Sequence, residues 1–432
     1  MNLKLTVKIG EKKEKARKVS IDVFPDPETA VIFTLQHIGA PNDPLVSVGD
    51  KVTIGQKIAD SKERISAPVH SPISGEVTKI GEAYNPCSAE FSQAIFIEND
   101  GKKRKDKTLQ PLSVSELKDV STDFLIERVR EAGIVGLGGA GFPTHIKLSP
   151  PSDKPIKHLV VNACESDIYA TCDERLIIEK TSNILTGVKV MRKVLGSPKV
   201  VIATKNNKIE AVERLKEVFS GEPDTKIVAE PFTYQQGDEN LLQKALFGWE
   251  VPAEKLPYEM GVVVHNVATV NAVAKAVFEG EPLISRVITL SGDVEEPKNL
   301  MVKIGTSVGH ILDHYKVDPE DTRKVVLGGA MMGISIPTAE TPLAKRITSI
   351  LVFSKSQYKL VKRRADCIRC SKCIGACPLD LHPISIVEAI EKGKIERAKG
   401  LYLTDCFECG ICSYVCPSGI PLADTIRKAK RG

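Results

Sequence analysis

Eight of the eleven cysteines fall in the last 66 residues of a 432-residue chain, and their spacing implies chemistry more directly than anything else in the sequence. The pattern C-x2-C-x2-C-x3-C-P occurs twice, as Cys367, Cys370, Cys373, Cys377 and Pro378, and again as Cys406, Cys409, Cys412, Cys416 and Pro417. Four thiolates this close suit neither a structural zinc site, which draws on two separated ligand pairs, nor disulfides in a chain read as cytosolic. They suit iron–sulfur cubanes. Three thiolates on one turn-rich loop take three corners of a 4Fe-4S cluster, and the fourth, before the proline, reaches the neighbouring cluster. The spacing therefore assigns Cys367, Cys370, Cys373 and Cys416 to a first cluster, and Cys406, Cys409, Cys412 and Cys377 to a second. Two adjacent cubanes make a one-electron relay.

A second candidate lies upstream in GIVGLGGAGFPTHIKL, where Gly136, Gly138 and Gly141 satisfy the expression G-x-G-x-x-G. The dinucleotide fingerprint requires a strand directly before such a loop, yet the preceding DFLIERVREAG carries Phe124, Leu125, Val129 and Ile134 at helical spacing. The loop is no ordinary Rossmann turn. Glycines this dense still expose backbone N–H groups and let a flat or anionic ligand approach, although a turn without a ligand is the competing reading. Beyond it, HLVVNA, NILTGVKVMRKVLG, KVVIAT, IEAVERLKEVFS and KIVAE alternate strand and helix, which predicts a parallel α/β sheet with Val212, Leu215 and Phe219 on one buried helix face. The segment NACESDIYATCDER then places Asn162, Glu165 and Asp167 at a strand's C-terminal end, where open α/β sheets bind ligands and acids can hold ribose hydroxyls. The same acids would equally complement a helix N-terminus.

Positioning these groups takes several units, because 432 residues exceed one ordinary core. Hydrophobic residues at 42% and charged residues at 27% describe a globular chain. Its most apolar stretch, residues 261–278, is interrupted by His265, Asn266, Asn271 and Lys275, so no membrane span is expected. The basic N-terminus lacks a secretory signal, which makes the cytoplasm the expected compartment. A net charge of +5 and an aromatic content of 5% do not argue for nucleic acid, and the basic runs at 102–107 and at the C-terminus read as solvated surface. The first 110 residues are short strand patterns and turns, such as ISAPVHSPISGEVTKI, which resemble lipoyl and biotinyl barrel-sandwich domains. No lysine stands where a carrier domain would present one, so a docking role is expected, with His70 structural.

The stretches G-L-G-G-A-G-F-P-T-H-I-K, N-A-C-E-S-D, Y-Q-Q-G-D-E and H-N-V-A-T, in that order, resemble the NADH-binding flavoprotein subunit of respiratory complex I. Across nearly the whole chain, the domain order resembles the C-subunit family of Rnf ion-translocating ferredoxin:NAD oxidoreductase complexes. The resemblance implies a multidomain α/β fold with a barrel-sandwich hybrid domain at 1–110 and a Rossmann-like FMN/NADH domain at 120–280. A β-grasp (SLBB-type) module at 281–356 and a helical two-cluster ferredoxin domain with a basic tail at 357–432 would follow. It implies FMN contacts at Gly136, Gly138, Gly139 and Lys147, with Asn162, Tyr234, Gly237, Asn266 and Thr269 completing the pocket. It implies NAD(H) contacts at Phe142, Glu165, Asp167 and Glu239. Leu137 stands where complex I relatives carry Arg, Cys164 where they carry Asp, and Asp167-Ile168 where they carry Glu-Pro.

The implied activity is electron transfer between NAD(H) and ferredoxin, coupled to Na+ or H+ translocation through integral membrane and other subunits, at the cytoplasmic face of the membrane. The chemistry would belong to the cofactors, with no general acid or base from the chain. A related NADH-dependent corrinoid reductase and a non-enzymatic electron-transfer scaffold are the alternatives. The β-grasp module is expected to bridge flavin domain and clusters, GGAMMGI at 328–334 to form a glycine turn with methionine packing, and Cys164 and Cys172 to be buried, inert thiols.

Overall fold

In the computed structural model, which describes residue 7 and residues 9–252, 255–357 and 364–431, four parallel strands form one sheet. Their order is Thr225–Glu230, Lys199–Lys205, His158–Ala163, Val262–Asn266. Leu159, Val160 and Val161, like Val200 to Ala203 and Val262 to Val264, are buried without alternation, the pattern of strands covered on both faces. The helix Ile209–Val218 buries Ala211, Val212 and Leu215, with Phe219 just beyond it, along the predicted face. The helix before it runs from Cys172 to Val194, starting well upstream of the expected NILTGVKVMRKVLG. Its first turns carry Asp173, Glu174 and Arg175, all buried, so charge hides the apolar period there, and a kink at Lys180 interrupts it again. Register puts Asn162 opposite Asn266, which brings the C-terminal ends of two central strands side by side.

A helix, Thr122–Glu131, precedes the glycine loop, and an antiparallel bridge between Val135 and Pro143 closes it. Upstream, Thr29–Phe33, Glu90–Asn99, Gly75–Asn85 and Lys51–Val52 make one small sheet, and Asp43–Pro44, Lys57–Asp60 and Val69–His70 another. Their inward residues, including Ile32, Ile58, Val69 and Ile95, share one continuous core with Leu125, Ile134 and Val161 of the α/β unit. His70 is buried, its imidazole pushed down to about 3 by burial and by the Lys345 ammonium, a structural rather than a ligating environment.

A third sheet has the order Ile21–Val23, Lys298–Lys303, Ser285–Gly292, Ser349–Ser354, Thr322–Leu327, Ile334–Ser335, around a core of Phe33, Ile288, Leu300, Leu327 and Ile350. Its edge strand comes from the start of the chain, because Ile21–Val23 pairs in parallel with Asn299–Met301.

The last unit is helical. Pro383–Glu391, Ile395–Gly400 and Leu422–Arg431 pack through Ile386, Val387, Ala398, Leu403 and Ile426. The two cysteine motifs repeat each other in backbone as well as spacing. Arg369 and Glu408 have φ of +55° and +61°, Ser371 and Gly410 of +57° and +82°, and short helices Lys372–Gly375 and Ile411–Tyr414 follow immediately. The expected multidomain α/β class is the one observed.

Candidate functional site

At the C-terminal ends of His158–Ala163 and Val262–Asn266 lies a cavity of about 530 Å³, within the size range of small-molecule pockets. Gly136, Gly138, Gly139, Phe142, Lys147, Asn162, Glu165, Asp167, Tyr234, Gly237, Glu239 and Asn266 all line it. Thr269 does not. It is fully buried behind the loop, where its Oγ1 accepts the Leu137 N–H at 2.9 Å.

Local bonds fix the glycine loop. Gly136 N–H donates to Phe142 O and Gly141 N–H to Gly136 O, each at 2.9 Å. Gly139 has φ of +102°, which favours glycine, and a Cβ on Gly138 would lie 3.1 Å from the Asn266 Cβ. Among the described residues, no hydrogen bond takes the N–H of Gly138, Gly139 or Ala140. The cavity thus presents a wall without side chains and three unbonded donors, which fits the flat ring and polar edge of a flavin nucleotide.

Asn162 and Asn266 line the cavity beside that wall and also brace it. Asn162 donates to Gly237 O and accepts from Cys164 N–H, while Asn266 caps the helix Val267–Ala274 through Ala268 N–H and donates to Asp173 Oδ2 at 2.6 Å. A Cβ on Gly237 would stand 2.0 Å from Ser166 Oγ, so any larger residue there has to displace Ser166. Lys147 and Glu239 form an ion pair at 2.7 Å across the cavity edge.

The acids divide by environment. Glu165 accepts from Asp173 N–H at 2.6 Å and Glu174 N–H at 3.2 Å and pairs with Lys208 at 3.1 Å, so its carboxylate complements a helix N-terminus. Asp167 accepts from Tyr169 and Ala170 N–H, and burial raises its carboxyl above the usual range. Asp173 also lines the cavity, pushed up to about 6 by burial and by Glu165, against the opposing bond from Asn266. No sequence signal singles it out, although it stands within NACESDIYATCDER. Cys164 is buried with its thiol pushed up to about 12, and Cys172 is raised too, as inert thiols would be.

The third sheet supplies a wall that sequence patterns do not assign. Gly328, Gly329, Met332, Gly333 and Ile334 line the cavity. GGAMMGI is thus more than the expected glycine turn with methionine packing, and its place on the wall favours the less expected reading, a segment that faces the cofactor site. Met331 does pack, against Gly410, but Gly329 approaches so closely that a Cβ would lie 2.0 Å from Asp167 Oδ2. Arg346, in the turn before the strand Ser349–Ser354, donates from Nε to Gly139 O at 2.9 Å, and buried Arg286 of the strand Ser285–Gly292 donates to Leu137 O.

The helical unit closes the remaining side with Phe407, Glu408 and Arg427. Tyr234 donates its hydroxyl to Cys409 O at 3.2 Å, and burial raises that hydroxyl well above its ordinary value, so it stays a donor. Tyr234, Met331, Phe407, Cys409 and Ile411 pack in one small apolar cluster. A separate hollow of about 220 Å³ is lined by Cys367, Cys370, Cys373 and Cys416 together. Cys377 lies instead with the other motif, where Cys409, Cys406 and Cys377 all act on the Cys412 thiol. Burial pushes Cys409 and Cys412 up to about 12, so iron coordination is what would hold them as thiolates. In each motif a backbone N–H, from Arg369 or Glu408, points to the first cysteine's Sγ at 3.4 Å. Two four-sulfur donor sets fit two cubanes. They differ in exposure, since Cys367 and Cys370 are exposed and Cys409 and Cys412 buried.

Fold and site together define an electron-transfer protein, with a nucleotide pocket in an α/β unit set against a two-cluster module. Residues 1–102 match the RnfC barrel sandwich hybrid domain, 129–275 the Nuo51 FMN-binding domain and 366–420 the 4Fe-4S dicluster domain. The chain is 39% identical to the C subunit of the proton-translocating ferredoxin:NAD(+) oxidoreductase complex of Clostridium ljungdahlii, over 90% of this chain and 84% of that protein. It is 34% identical to the Na(+)-translocating counterpart of Acetobacterium woodii, over 97% and 94%. It is 36% identical to the C subunit of the ion-translocating oxidoreductase complex of Rhodobacter capsulatus, over 97% and 80%. The chain belongs to the C-subunit family of Rnf complexes. Among solved structures, a chain of an NAD+-reducing NiFe-hydrogenase in the H2-reduced state superposes with a TM-score of 0.51 at 18% identity, over 75% of this chain and 63% of that one. That likeness is one of fold.

Proposed function

We propose that this chain is the NAD(H)-facing FMN and iron–sulfur subunit of an Rnf-type complex, moving electrons between NAD(H) and ferredoxin while partner subunits translocate Na+ or H+. Bound FMN supplies the exchange between two-electron nicotinamide chemistry and one-electron cluster chemistry. The chain's own share is placement. The loop Gly136–Gly141 and Lys147 would hold FMN, and Asn162, Asn266 and Thr269 would keep that loop and the strand ends in register. Phe142, Asp167 and Glu239 would face NAD(H), and Glu165 would order the segment that carries Asp167. Cys367, Cys370, Cys373 and Cys416 would hold one cluster, and Cys406, Cys409, Cys412 and Cys377 the other.

The observation that carries the reading is the seating of the second cysteine motif against the pocket through Tyr234 and Cys409, while the first motif reaches the surface. That order gives electrons a path from the nucleotide cavity to an exposed relay that a partner can touch. Among the described residues no helix is long and apolar enough to cross a membrane. Integral membrane partners would therefore hold the chain peripherally, at the cytoplasmic face where NAD(H) is found.

Anaerobic titration of the cofactor-loaded full chain with NADH tests this. Bleaching of the flavin absorbance together with new low-temperature electron paramagnetic resonance signals is the expected result. Clusters present with no flavin bound and no response to NADH would reduce the chain to a conduit.

A further inference from the structure

Arg346 stands out among the charged groups around the cavity. Lys147 is paired with Glu239, and Arg427 with Glu408 and Asp424, so the charge of each is already matched. Glu165 is matched by Lys208 and Asp173 by Asn266. Arg346 lines the cavity and has no carboxylate partner among the described residues; its one side-chain hydrogen bond there runs from Nε to Gly139 O. Its stem lies across Gly141, where a Cβ would come within 2.5 Å of the Arg346 Cδ. A guanidinium has five donors in a rigid fork, and the Nε bond uses one, which leaves the donors of the terminal nitrogens unused on the loop that carries the free N–H groups. Half-buried, unpaired and braced at one corner, such a fork is shaped to take an anion's oxygens bidentately.

We infer that Arg346 is an anion-binding residue of the pocket, its guanidinium gripping a phosphate of the bound nucleotide. This rests on reading the cavity as a nucleotide site. The shared chemistry is a phosphate ester, supplied either by the monoester of FMN or by the diphosphate of NAD(H). Because Arg346 stands in the turn that leads into the third sheet's strand Ser349–Ser354 while the loop belongs to the α/β unit, the ligand would also fasten one unit to the other.

The test uses the full chain with its clusters and compares wild type, Arg346→Lys and Arg346→Gln. FMN and riboflavin affinities are measured by flavin fluorescence, and NAD+ and nicotinamide riboside affinities by calorimetry on the flavin-loaded protein. Loss of a charged hydrogen bond weakens the phosphate-bearing ligand by about tenfold or more. If the flavin phosphate is the partner, Arg346→Gln weakens FMN and leaves riboflavin unchanged. If the diphosphate is the partner, NAD+ weakens and nicotinamide riboside does not. In either case Arg346→Lys is intermediate and the wild-type preference shrinks with rising salt. Equal weakening of ligands with and without phosphate would reduce Arg346 to a brace on the loop and overturn the inference. Riboflavin serves as the internal control for a misfolded variant. Failure of the wild-type chain to bind any of the four would overturn the nucleotide reading itself.

Discussion

Single residues decide whether each group can be held at all. Cys370 lies in the exposed hollow with Cys367, Cys373 and Cys416, remote from the cavity that Gly139 lines. Cys370→Ser should therefore remove about half of the bound iron and leave flavin content unchanged, as read by iron assay and absorbance on the same purified sample. Gly139→Val should do the reverse. Its φ of +102° is a conformation that a β-branched residue enters only at a cost of about 1–3 kcal/mol, and the new side chain would project from the loop. Flavin content should fall severalfold while iron stays. The grouping of Cys416 with the first motif and Cys377 with the second was expected from the sequence, because thiolate spacing is local and few other chemistries use it, and the structure brings the same cysteines together. The loop glycines stood out by their density, but only the structure puts Gly136, Gly138 and Gly139 on the cavity wall. The resemblance put Asn162 and Asn266 at the pocket, which both line, but their bonds to Gly237, Asp173 and the helix N-terminus were not legible, since an asparagine that caps a helix and one that touches a ligand look alike until their partners are seen.

Elements decide where those residues stand. The parallel strands were legible because strands buried on both faces read as unbroken apolar runs, and the helix Ile209–Val218 because its apolar face was clean. The segment Gly328–Ile334 was not. Its glycines gave a turn signal, but the cavity it faces is built by residues far away in sequence, so no local pattern could report the contact. Its close approach is testable. A methyl group on Gly329 would meet Asp167 Oδ2 at 2.0 Å, so the loop must retreat or the carboxylate must turn. Gly329→Ala should weaken NADH binding by about tenfold while flavin and iron contents hold, measured by NADH titration of the loaded protein. Unchanged NADH affinity would separate Asp167 from nucleotide binding. The early start of the helix at Cys172 is hidden in the sequence for a related reason, because its first turns are charged residues that burial tolerates only through pairing across other elements.

The whole molecule is held by junctions that exclude protons. His37 and His145 are pushed down to about 4 and His70 to about 3, in each case first by burial, then by a nearby cation, Lys345 for His37 and His70 and Arg130 for His145. All three are neutral when folded and would titrate near 6.5 in the unfolded chain. The unfolded state therefore binds more protons below about 6.5, so the stability these groups permit is fully present above that pH and is lost as pH falls toward 4. The melting temperature should drop by several degrees between pH 7 and pH 5, and His145→Gln should flatten that slope. The domain order was legible from the sequence, whereas the sharing of one core by the first and second units was not, because junction residues carry the same apolar signature as any interior. The strand Ile21–Val23 carries a consequence in time. It is made early, yet Asn299, which pairs with Ile21, leaves the ribosome on the order of tens of seconds later at about 5–20 residues per second. Until then its backbone donors and acceptors have no sheet to join, and Phe24 has no core to enter. The strand Ile21–Val23 is thus among the last parts able to fold, although it is made early, and its docking is timed by the completion of the third sheet.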